Sequence, residues 1–467
     1  MRGLAVQIAG HGVISRVGTA GLRMLAFKSG LTGLLSGALR VPRRQVVHDR
    51  GQVLTDLATM IADGGTAIGH IRTLRDRAEL FGPVASAPTA WRALQELTAR
   101  RLDKVAVARA KARRRIWELI AARHGGIPAS RTCYGDLGEW MVIRLDATIQ
   151  VCHSDKESAA GTFKGTYGMF PLTAWLDNTG ECLAVKLRPG NAGANTICDH
   201  IDVLAAAIAQ IPPAYRRRVL VTVDGAGATI ELLEFITTLN TRSRQVHYSV
   251  GFDLDERAKT AIAALPEDGW VCVLDDEGHA RPAEQAGTAE LTGLLRHSAG
   301  GDRLKNWPAG MRVLVRREKP GSGAKLSDFE KARGWRYQVI ATNTSAEVLP
   351  VQRGESRHRV HARVEDFIRC GKDTGLARLP SWSFALNQAW CIAAAIGCDL
   401  LAWFRLLCCD GEMAAAEPGT LRYALLHTSA RLVRGQRRRT IKIPRTWPWA
   451  GQLHRAIGAV LTMPAPT

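Results

Sequence analysis

Three acidic residues stand where a protein could hold metal ions for phosphate chemistry. Asp224 directly follows the apolar run Val219–Val223 and precedes a glycine-rich turn. Asp146 lies inside a second apolar stretch, MVIRLDATIQV, where a carboxylate is costly unless it is paired or binds a metal. Glu365 follows in HRVHARVEDFIRCGKD. Three carboxylates suit phosphodiester chemistry, because two divalent cations about 3.5–4 Å apart prefer oxygen ligands and hold the attacking and leaving oxygens.

Each acid also has a simpler interpretation. Asp224 could cap the helix that follows it, and Asp146 could be neutral or paired with a base. Glu365 could form an ion pair with Arg369 one helical turn later, and Asp366 is a rival acid beside it. No single acid decides between these interpretations.

The segments around the two aspartates predict how they are positioned. The run before Asp224 is typical of a strand buried on both faces of an α/β sheet, where ligands bind at the carboxyl ends of strands. The preceding pattern predicts a strand at 141–151, a hairpin of strands at 169–176 and 182–187, and a helix at 194–210. This is the order of a ribonuclease H-like core, in which the first and fourth strands are neighbours. We therefore expect Asp146 and Asp224 to lie side by side.

The third acid is predicted on a helix over 358–373. Val360, Val364 and Phe367 form its apolar stripe, and Glu365 lies off that stripe on roughly the same side as His361.

The whole chain is predicted to be an α/β protein with a ribonuclease H-like core interrupted by a β-rich insertion, a helical N-terminal domain and a helical C-terminal region. The predicted segments are 1–130 (helical, DNA-binding), 131–252 (first part of the core), 253–334 (β-rich insertion), 335–410 (second part of the core) and 411–467 (basic, helical).

The charge balance predicts a polyanionic partner. The 467 residues contain 63 Lys and Arg against 43 Asp and Glu, a formal net charge of +20. Such an excess favours double-stranded DNA over a membrane, because neutralised phosphates release counterions. Two basic runs are predicted to contact DNA, although a solvated helix face is the usual meaning of such a run. Their predicted contact residues are Arg113, Arg114, Arg115, Arg437, Arg438 and Arg439.

Other sequence features favour a cytoplasmic, nucleoid-associated protein without a membrane partner. The ten cysteines are scattered without a CxxC pair, which suits a reducing compartment and no structural zinc. His11 and Arg16 interrupt the apolar stretch at the N-terminus, so no signal peptide is predicted. The apolar stretch at 390–404 carries Asp399 and is short for a membrane span, so it is predicted to be a core helix.

Several segments together resemble the DDE transposases of bacterial insertion sequences, specifically the thirteen-eighty insertion-sequence family. This family is related to cut-and-paste transposases with a Tyr, Arg, Glu and Lys (YREK) signature. The matching segments are DGGTAIGHIRTLRDRAELFGPVASAPTAWR, LDATI, FKGTYGMFPLTAWLDNTGE, VTVDGAGAT, and RVHARVEDFIRCGKDTGL through SFALNQAW. The resemblance implies that Asp146, Asp224 and Glu365 form a catalytic triad that binds two Mg²⁺ ions, with Mn²⁺ able to replace Mg²⁺. It also places Lys372 to contact a phosphate at the transposon end.

The sequence departs from the related signature at two positions. His358 stands where Tyr would be and His361 where Arg would be, whereas Glu365 and Lys372 keep the expected spacing. The resemblance further implies that a tryptophan of the insertion holds a flipped base during hairpin formation. The candidates are Trp270, Trp307 and Trp335, and for each of them core packing is the favoured role.

The expected activity is cutting at terminal inverted repeats, followed by joining of the 3′ ends to target DNA. Both transposon ends must be brought together, so at least a homodimer is expected on DNA. The alternatives are a ribonuclease H-like nuclease without strand transfer and a catalytically inactive, transposase-derived DNA-binding protein.

Overall fold

The computed structural model of the chain describes residue 8 and residues 11–40, 46–193, 196–435 and 438–466. The chain divides into two compact units, which we call the helical unit and the sheet unit. The helical unit comprises Met1–Gly126, Gln150–Glu157 and Arg369–Thr467, and the sheet unit comprises Ile127–Ile149 and Ser158–Ile368.

The described part of the sheet unit is built on a mixed sheet of nine strands. From one edge to the other they are Val271–Cys272, Ala286–Glu290, Arg312–Glu318, Arg336–Thr342, Gln245–Phe252, Arg218–Val223, Met141–Ala147, Leu172–Leu176 and Glu181–Lys186. The Arg218–Val223 strand lies parallel to both of its neighbours. Its residues 219–223 are all buried, as expected for a central strand covered on both faces.

The strands that carry the two aspartates are neighbours, as predicted. Met141–Ala147 pairs in parallel with Arg218–Val223 on one side and antiparallel with Leu172–Leu176 on the other. Leu172–Leu176 in turn forms the predicted hairpin with Glu181–Lys186. The apolar runs identified these strands correctly because central strands leave little room for polar side chains.

The segment 253–334 does not form a sheet of its own. Its strand Arg312–Glu318 pairs along its full length with Arg336–Thr342 and so extends the main sheet. The segment is also partly helical, with helices at Glu256–Ala264, Thr292–Arg296 and Asp328–Arg333 and a 3₁₀ turn at Glu267–Gly269. The short strands were visible in the sequence, but their partners were not, since pairing is set by hydrogen bonds between distant segments.

Helices and turns complete the sheet unit. Its remaining helices are Ile197–Gln210, Ile230–Thr238, Val351–Arg359 and Arg363–Gly371, the last of which crosses into the helical unit. The 3₁₀ turns are Pro213–Tyr215, Gly225–Gly227 and Val360–Ala362, and small antiparallel pairs join Arg131–Thr132 to Gly135–Asp136 and Ala160–Gly161 to Tyr167–Met169. The helix expected over 358–373 is therefore two helices joined by a 3₁₀ turn.

The helical unit contains the remaining helices and one small sheet. Its helices are Val17–Lys28, Leu31–Leu39, Arg50–Ala62, Arg72–Arg75, Ala78–Phe81, Ala87–Gln95, Ala99–His124, Phe384–Cys408, Glu412–Ala415, Pro418–Leu421 and Ala450–Thr462, with a 3₁₀ turn at Ile68–Ile71 and π-helical turns at Lys372–Leu376 and Arg422–Leu426. The strands Val13–Ile14, Ala430–Gly435 and Arg438–Lys442 form an antiparallel sheet. A two-residue strand, Gln150–Val151, also belongs to this unit.

The central helix of this unit is Phe384–Cys408. By length and composition alone it could cross a membrane, but 83% of its most apolar window is buried inside the structure, as a core helix requires. Its one buried acid, Asp399, is paired with Arg109 at 2.8 Å and Arg113 at 2.5 Å, both from the helix Ala99–His124. A buried carboxylate is tolerated there because two guanidinium groups compensate its charge.

Candidate active site

The register of two parallel strands brings the aspartates to one level of the sheet. Val223 is paired with Leu145 at the end of the ladder, so the next residues, Asp224 and Asp146, follow at the same height. Neighbouring strands lie about 4.8 Å apart. Asp146 is half-buried and Asp224 is exposed. The carboxyl ends of these strands therefore present two acids at one edge, where α/β sheets bind ligands.

The turn that carries Asp224 packs tightly against the next strand. A Cβ atom on Gly251 of that strand would lie 2.6 Å from the backbone nitrogen of Gly225 and 2.8 Å from its Cα. The helix after the turn is capped by Thr229, whose hydroxyl accepts a hydrogen bond from the backbone N–H of Leu232 at 3.3 Å. Asp224 is therefore not the cap of that helix, and the simpler interpretation of this acid does not hold.

Apolar packing fixes the helix that carries Glu365. Val364 and Ile368 are buried. Phe367 stacks on Trp175 with ring centroids 6.0 Å apart, and Trp175 belongs to the strand beside the Asp146 strand. With these side chains packed, Glu365 itself remains exposed.

The ion pair considered for Glu365 does not form. Arg369 instead donates two hydrogen bonds to Glu417, at 2.7 and 2.8 Å. In the part of the chain that the structure describes, Glu365 has neither an ion pair nor a hydrogen bond. Its carboxylate is thus available to a ligand.

Two buried histidines attach the same chain segment to the strands. His361 Nδ1 lies 2.9 Å from the hydroxyl of Thr222, and His358 Nδ1 lies 3.1 Å from the hydroxyl of Ser249. Thr222 and Ser249 are themselves paired across neighbouring strands. These two hydrogen bonds set the position of the Glu365 helix relative to the strand that leads into Asp224.

The histidines act as neutral hydrogen-bonding groups. Burial lowers the pKa of His358 to about 4 and lowers the pKa of His361 well below its ordinary value. An arginine in place of His361 would bring a permanent charge into this interior. The positions at which the chain has His358 and His361 instead of the signature residues are therefore buried positions that suit uncharged imidazoles.

A buried ion pair supports the strand that provides Thr222. Arg144, on the Asp146 strand, pairs with Asp177 at 2.6 Å, and both side chains are almost fully buried. Arg144 also donates to the hydroxyl of Thr222 at 3.4 Å. The hydroxyl of Thr222 therefore links the interior of the sheet to His361, one helical turn before Glu365.

Electrostatic interactions reach Asp146 from both of the other acids. Burial, together with the negative charges of Asp224 and Glu365, raises the pKa of Asp146 to about 7, while the hydrogen bond from the backbone N–H of Ala147 and the charge of Lys164 oppose this rise. One oxygen of Asp146 accepts a hydrogen bond from the backbone N–H of Ala147 at 2.7 Å. Ionising a half-buried acid near two other acids costs free energy. A bound cation would lower this cost, because its positive charge stabilises the ionised carboxylates.

The three acids offer oxygen ligands that suit hard divalent cations. Their side chains, however, are not spaced as closely as the ligands of a bound cation are. Over the described ranges of the chain, no group of three or more His, Cys, Asp or Glu side chains has metal-site spacing. Asp146, Asp224 and Glu365 supply carboxylate oxygens, which Mg²⁺ and Mn²⁺ prefer. Binding a cation would require these oxygens to approach one another more closely.

A cavity of about 480 Å³ opens beside two of the acids. Asp224 and Glu365 lie on its wall together with Arg316, Arg336 and Arg359. Arg316 also pairs with Glu318 at 2.5 Å, which fixes its guanidinium. Carboxylates bind cations, and guanidinium groups bind anions. A cavity that has both can bind a phosphate together with its metal ions.

Sequence reasoning missed these arginines and Lys164. Lys164 was visible in the segment FKGTYG after the Asp146 strand, and Arg359 lies in the helical region before Glu365. Arg316 and Arg336 lie on paired strands from separate parts of the chain, and no local pattern marks them.

The three candidate tryptophans are engaged in packing. The guanidinium of Arg317 lies 4.3 Å from the ring centroid of Trp270 and 4.5 Å from that of Trp335. Trp307 packs against Phe252, with centroids 5.0 Å apart. Each is partly exposed.

The predicted DNA-contacting residues occupy different surroundings. Arg113 is fully buried in its pair with Asp399, so it has no exposed side chain for DNA and belongs to the core. Arg114 is exposed and lies 3.5 Å from Glu118, whereas Arg115 donates to backbone carbonyls, among them that of Pro464 at 2.7 Å.

The second basic run forms a hairpin in the helical unit. Arg439 is exposed and donates to the carbonyl of Glu79 at 3.0 Å. Arg438 begins the strand Arg438–Lys442, and Arg437 lies outside the described residues. Lys372 lies in the helical unit, where it lines another cavity.

Comparisons with known proteins give one match over the whole chain. A family model described as transposase DDE domain group 1 matches residues 1–465. Among solved structures, the chain is similar to one in the cryo-EM structure of the piggyBac transposase synaptic complex with hairpin DNA, at 9% identity and a TM-score of 0.40. That similarity covers 83% of this chain and 75% of the other. A comparison with curated proteins finds no match.

Replacing Gly251 by Ala should destabilise the turn that carries Asp224. The new Cβ would meet backbone atoms of Gly225, which cannot rotate away. We expect a loss of about 1–3 kcal/mol in the free energy of unfolding, measured by urea denaturation. The control is Gly293→Ala, at an exposed position of the helix Thr292–Arg296 where a Cβ meets nothing within 4 Å. Equal stability of the two variants would contradict the tight packing of the Asp224 turn.

Replacing Asp146 by Asn should stabilise the protein in a pH-dependent way. Because the folded-state pKa of Asp146 is about 7, its contribution to stability is full below the unfolded-state pKa of about 4 and is lost as the pH rises towards 7. With divalent cations removed, Asp146→Asn should therefore unfold at a higher temperature than the wild type near pH 8, with little difference near pH 4. Added Mg²⁺ should raise the unfolding temperature of the wild type more than that of the variant.

The control for this experiment is Asp268→Asn, which removes an exposed acid from the same unit. An Asp146 variant with the same pH profile and Mg²⁺ response as this control would refute the coupling of the three acids.

Proposed function

The chain belongs to the family described as transposase DDE domain group 1, and from this premise we propose that it cuts DNA at terminal inverted repeats and joins the freed 3′ ends to target DNA. The family membership covers nearly every residue of the chain. The finer assignment, to bacterial insertion sequences of the thirteen-eighty family related to the YREK-type transposases, is part of this proposal and is based on the matching segments and on the retained Glu365 and Lys372.

One observation carries the catalytic assignment. Asp146 has a pKa raised to about 7 by burial and by the charges of Asp224 and Glu365, although the three acids are far apart along the sequence. Like charges are placed together in a protein at a cost in stability, and such sites are frequently functional. This supports Asp146, Asp224 and Glu365 as the residues that hold two Mg²⁺ ions, or Mn²⁺ in their place.

The chain's own residues would then have distinct tasks. Asp146 and Asp224 hold oxygens at one edge of the sheet, and Glu365 completes the set from the helix. Ionisation of Asp146 must accompany cation binding, so the proton it carries near neutral pH is released. When bound, the divalent ions activate the attacking oxygen and stabilise the leaving oxygen of the phosphodiester.

Cationic side chains beside the acids suit the DNA backbone. Arg316, Arg336 and Arg359 line the cavity that Asp224 and Glu365 also line. Guanidinium groups bind phosphate through paired N–H donors, so these arginines would orient the strand next to the scissile bond.

Water attacks first at the transposon end, and the 3′-hydroxyl it frees then attacks the target, with no covalent protein intermediate.

The partners follow from this chemistry. Double-stranded DNA is the substrate in both steps, and the formal net charge of +20 favours its binding. Two transposon ends must be processed together, so we propose at least a homodimer on DNA. The proposed place of action is the bacterial cytoplasm, where the nucleoid provides both the element and its targets.

Single substitutions of the three acids test the active site. Asp146→Ala, Asp224→Ala and Glu365→Ala should each lower the rate of end cleavage in Mg²⁺ by a factor of about 10³, because each removes a carboxylate that would hold the divalent ions at the reacting phosphate. The substrate is a labelled duplex that carries the terminal repeat, taken from the DNA flanking the coding region. Asp366→Ala is the matched control, since Asp366 is an exposed acid next to Glu365.

Unchanged cleavage by Asp224→Ala would refute this active site. A second assay, with pre-cleaved ends and a target plasmid, separates the remaining alternatives. Strand transfer by the wild type supports a transposase, cleavage without joining indicates a ribonuclease H-like nuclease, and binding without either reaction indicates an inactive DNA-binding protein.

A further inference from the structure

A second cavity, of about 740 Å³, lies entirely within the helical unit. Separate segments of the chain line it: Arg16 before the first helix, the turn after the helix Arg50–Ala62, the turn that starts at Lys372, and the turn that starts at Arg422. None of the three acids and none of the arginines named for the proposed active site contributes to it, whereas Lys372, for which the resemblance implies a phosphate contact, does. Its lining is therefore a separate feature that the proposed catalytic chemistry does not explain.

The cavity wall is positively charged. Four permanent cations, Arg16, Lys372, Arg378 and Arg422, face two carboxylates from Asp63 and Asp373. Two histidines also line the cavity, His70 and His427. His70 accepts a hydrogen bond from the backbone N–H of Thr66 through Nδ1 at 3.1 Å, so its Nε2 carries the proton and is a donor when the ring is neutral.

One carboxylate is buried and organises the wall. The Asp63 side chain is 2% exposed and forms an ion pair with Arg16. It accepts a hydrogen bond from the hydroxyl of Thr19 at 2.6 Å and lies 3.1 Å from His427 Nε2. Its charge is therefore engaged within the protein, and its role is to hold Arg16 and His427 in place.

Arg16 is held in an unusual backbone conformation. Its φ of 65° and ψ of 36° lie in the left-handed region, which is unfavourable for any residue with a Cβ atom. Backbone strain of this kind persists where the surroundings impose it, and such positions cluster at ligand sites. Arg16, which adopts this conformation, lines the cavity and forms the ion pair with Asp63.

The second carboxylate is also engaged. Asp373 forms an ion pair with Arg422, which donates in addition to the carbonyl of Ala62 at 3.3 Å. Gly64, at a φ of 96°, passes close to this arginine, and a Cβ there would lie 3.1 Å from its Cδ. Glycine at this position thus leaves room for the Arg422 side chain.

Arg378 is a wall cation that takes part in neither of these two ion pairs. Its side chain is exposed, and across the described ranges it has no hydrogen bond, ion pair or ring contact. Both carboxylates of the wall already have cationic partners. An anionic ligand in the cavity would therefore meet the guanidinium of Arg378 without having to displace an acid.

We propose that this cavity binds a backbone phosphate of the DNA substrate, with Arg378 as a principal donor and with Arg16 and Arg422 as further positive charges of the wall. Guanidinium groups match phosphate oxygens with paired N–H donors, and a phosphate contact positions DNA without reading its sequence. The choice of DNA as the source of the phosphate rests on the proposed function. The proposal does not depend on the three acids of the sheet unit or on the contact expected of Lys372.

The test compares Arg378 with a matched arginine of the same unit. Arg378→Gln and Arg378→Glu are paired with Arg75→Gln and Arg75→Glu, since Arg75 is exposed but does not line the cavity. Affinity of the full chain for labelled duplexes is measured by fluorescence anisotropy over a range of salt concentrations. One duplex carries the terminal repeat and the other has an unrelated sequence.

We expect Arg378→Gln to weaken binding of both duplexes about tenfold and to lower the salt dependence by about one counterion, because one phosphate contact is lost irrespective of sequence. Arg378→Glu should weaken binding further, and Arg378→Lys should retain most of the affinity. The Arg75 variants should keep the wild-type salt dependence. Melting temperatures of all variants verify that they are folded.

Equal losses for the Arg378 and Arg75 variants would overturn the proposal, since a general charge effect would then account for both. Loss confined to the terminal-repeat duplex would also overturn it, because a phosphate contact carries no sequence preference. If the wild type binds and cuts DNA while Arg378→Gln binds normally, only the cavity assignment fails. If the wild type binds no DNA at all, the proposed function fails and the cavity assignment falls with it.

Discussion

Repulsion between like charges is the constraint that the fold of the sheet unit must accommodate. Asp146 and Asp224 follow the last paired residues of neighbouring parallel strands, and Glu365 adds a third negative charge close enough to raise the pKa of Asp146. Such an arrangement opposes folding at neutral pH in the absence of cations. The protein tolerates it because the strands that lead to the two aspartates are mostly apolar and buried, so the register that sets the aspartates at one level is fixed from inside the sheet.

The third acid depends on contacts that are independent of its own charge. Phe367 against Trp175 and the hydrogen bonds of His358 and His361 to strand hydroxyls hold the helix while Glu365 stays exposed. Neutral imidazoles serve here because the hydroxyl partners are buried and uncharged. A rigid support of this kind reduces the reorganisation needed when ligands bind, which is what precise chemistry at phosphate requires.

Much of this arrangement is readable from the sequence because it is local. The apolar runs before Asp224 and around Asp146 identified buried strands, and the apolar stripe beside Glu365 identified its helix. What could not be read depends on partners far away in the chain. Arg113 was predicted to contact DNA, yet its partner Asp399 is 286 residues further on and lies in the core.

Two other features were hidden for the same reason. Gly251 looks like an ordinary residue in a strand, and its importance appears only when the Asp224 turn is placed against it. The strand Arg312–Glu318 extends the main sheet through Arg336–Thr342, although the intervening residues suggested a separate insertion. Long-range pairing and close backbone contacts leave no periodic signal, so a single sequence does not predict them.

The most direct test of the account is anomalous diffraction from crystals of the protein grown with Mn²⁺. The account predicts two Mn²⁺ ions about 3.5–4 Å apart, bound by oxygens of Asp146, Asp224 and Glu365. Mn²⁺ bound elsewhere, with these three carboxylates left without a shared ion, would contradict it.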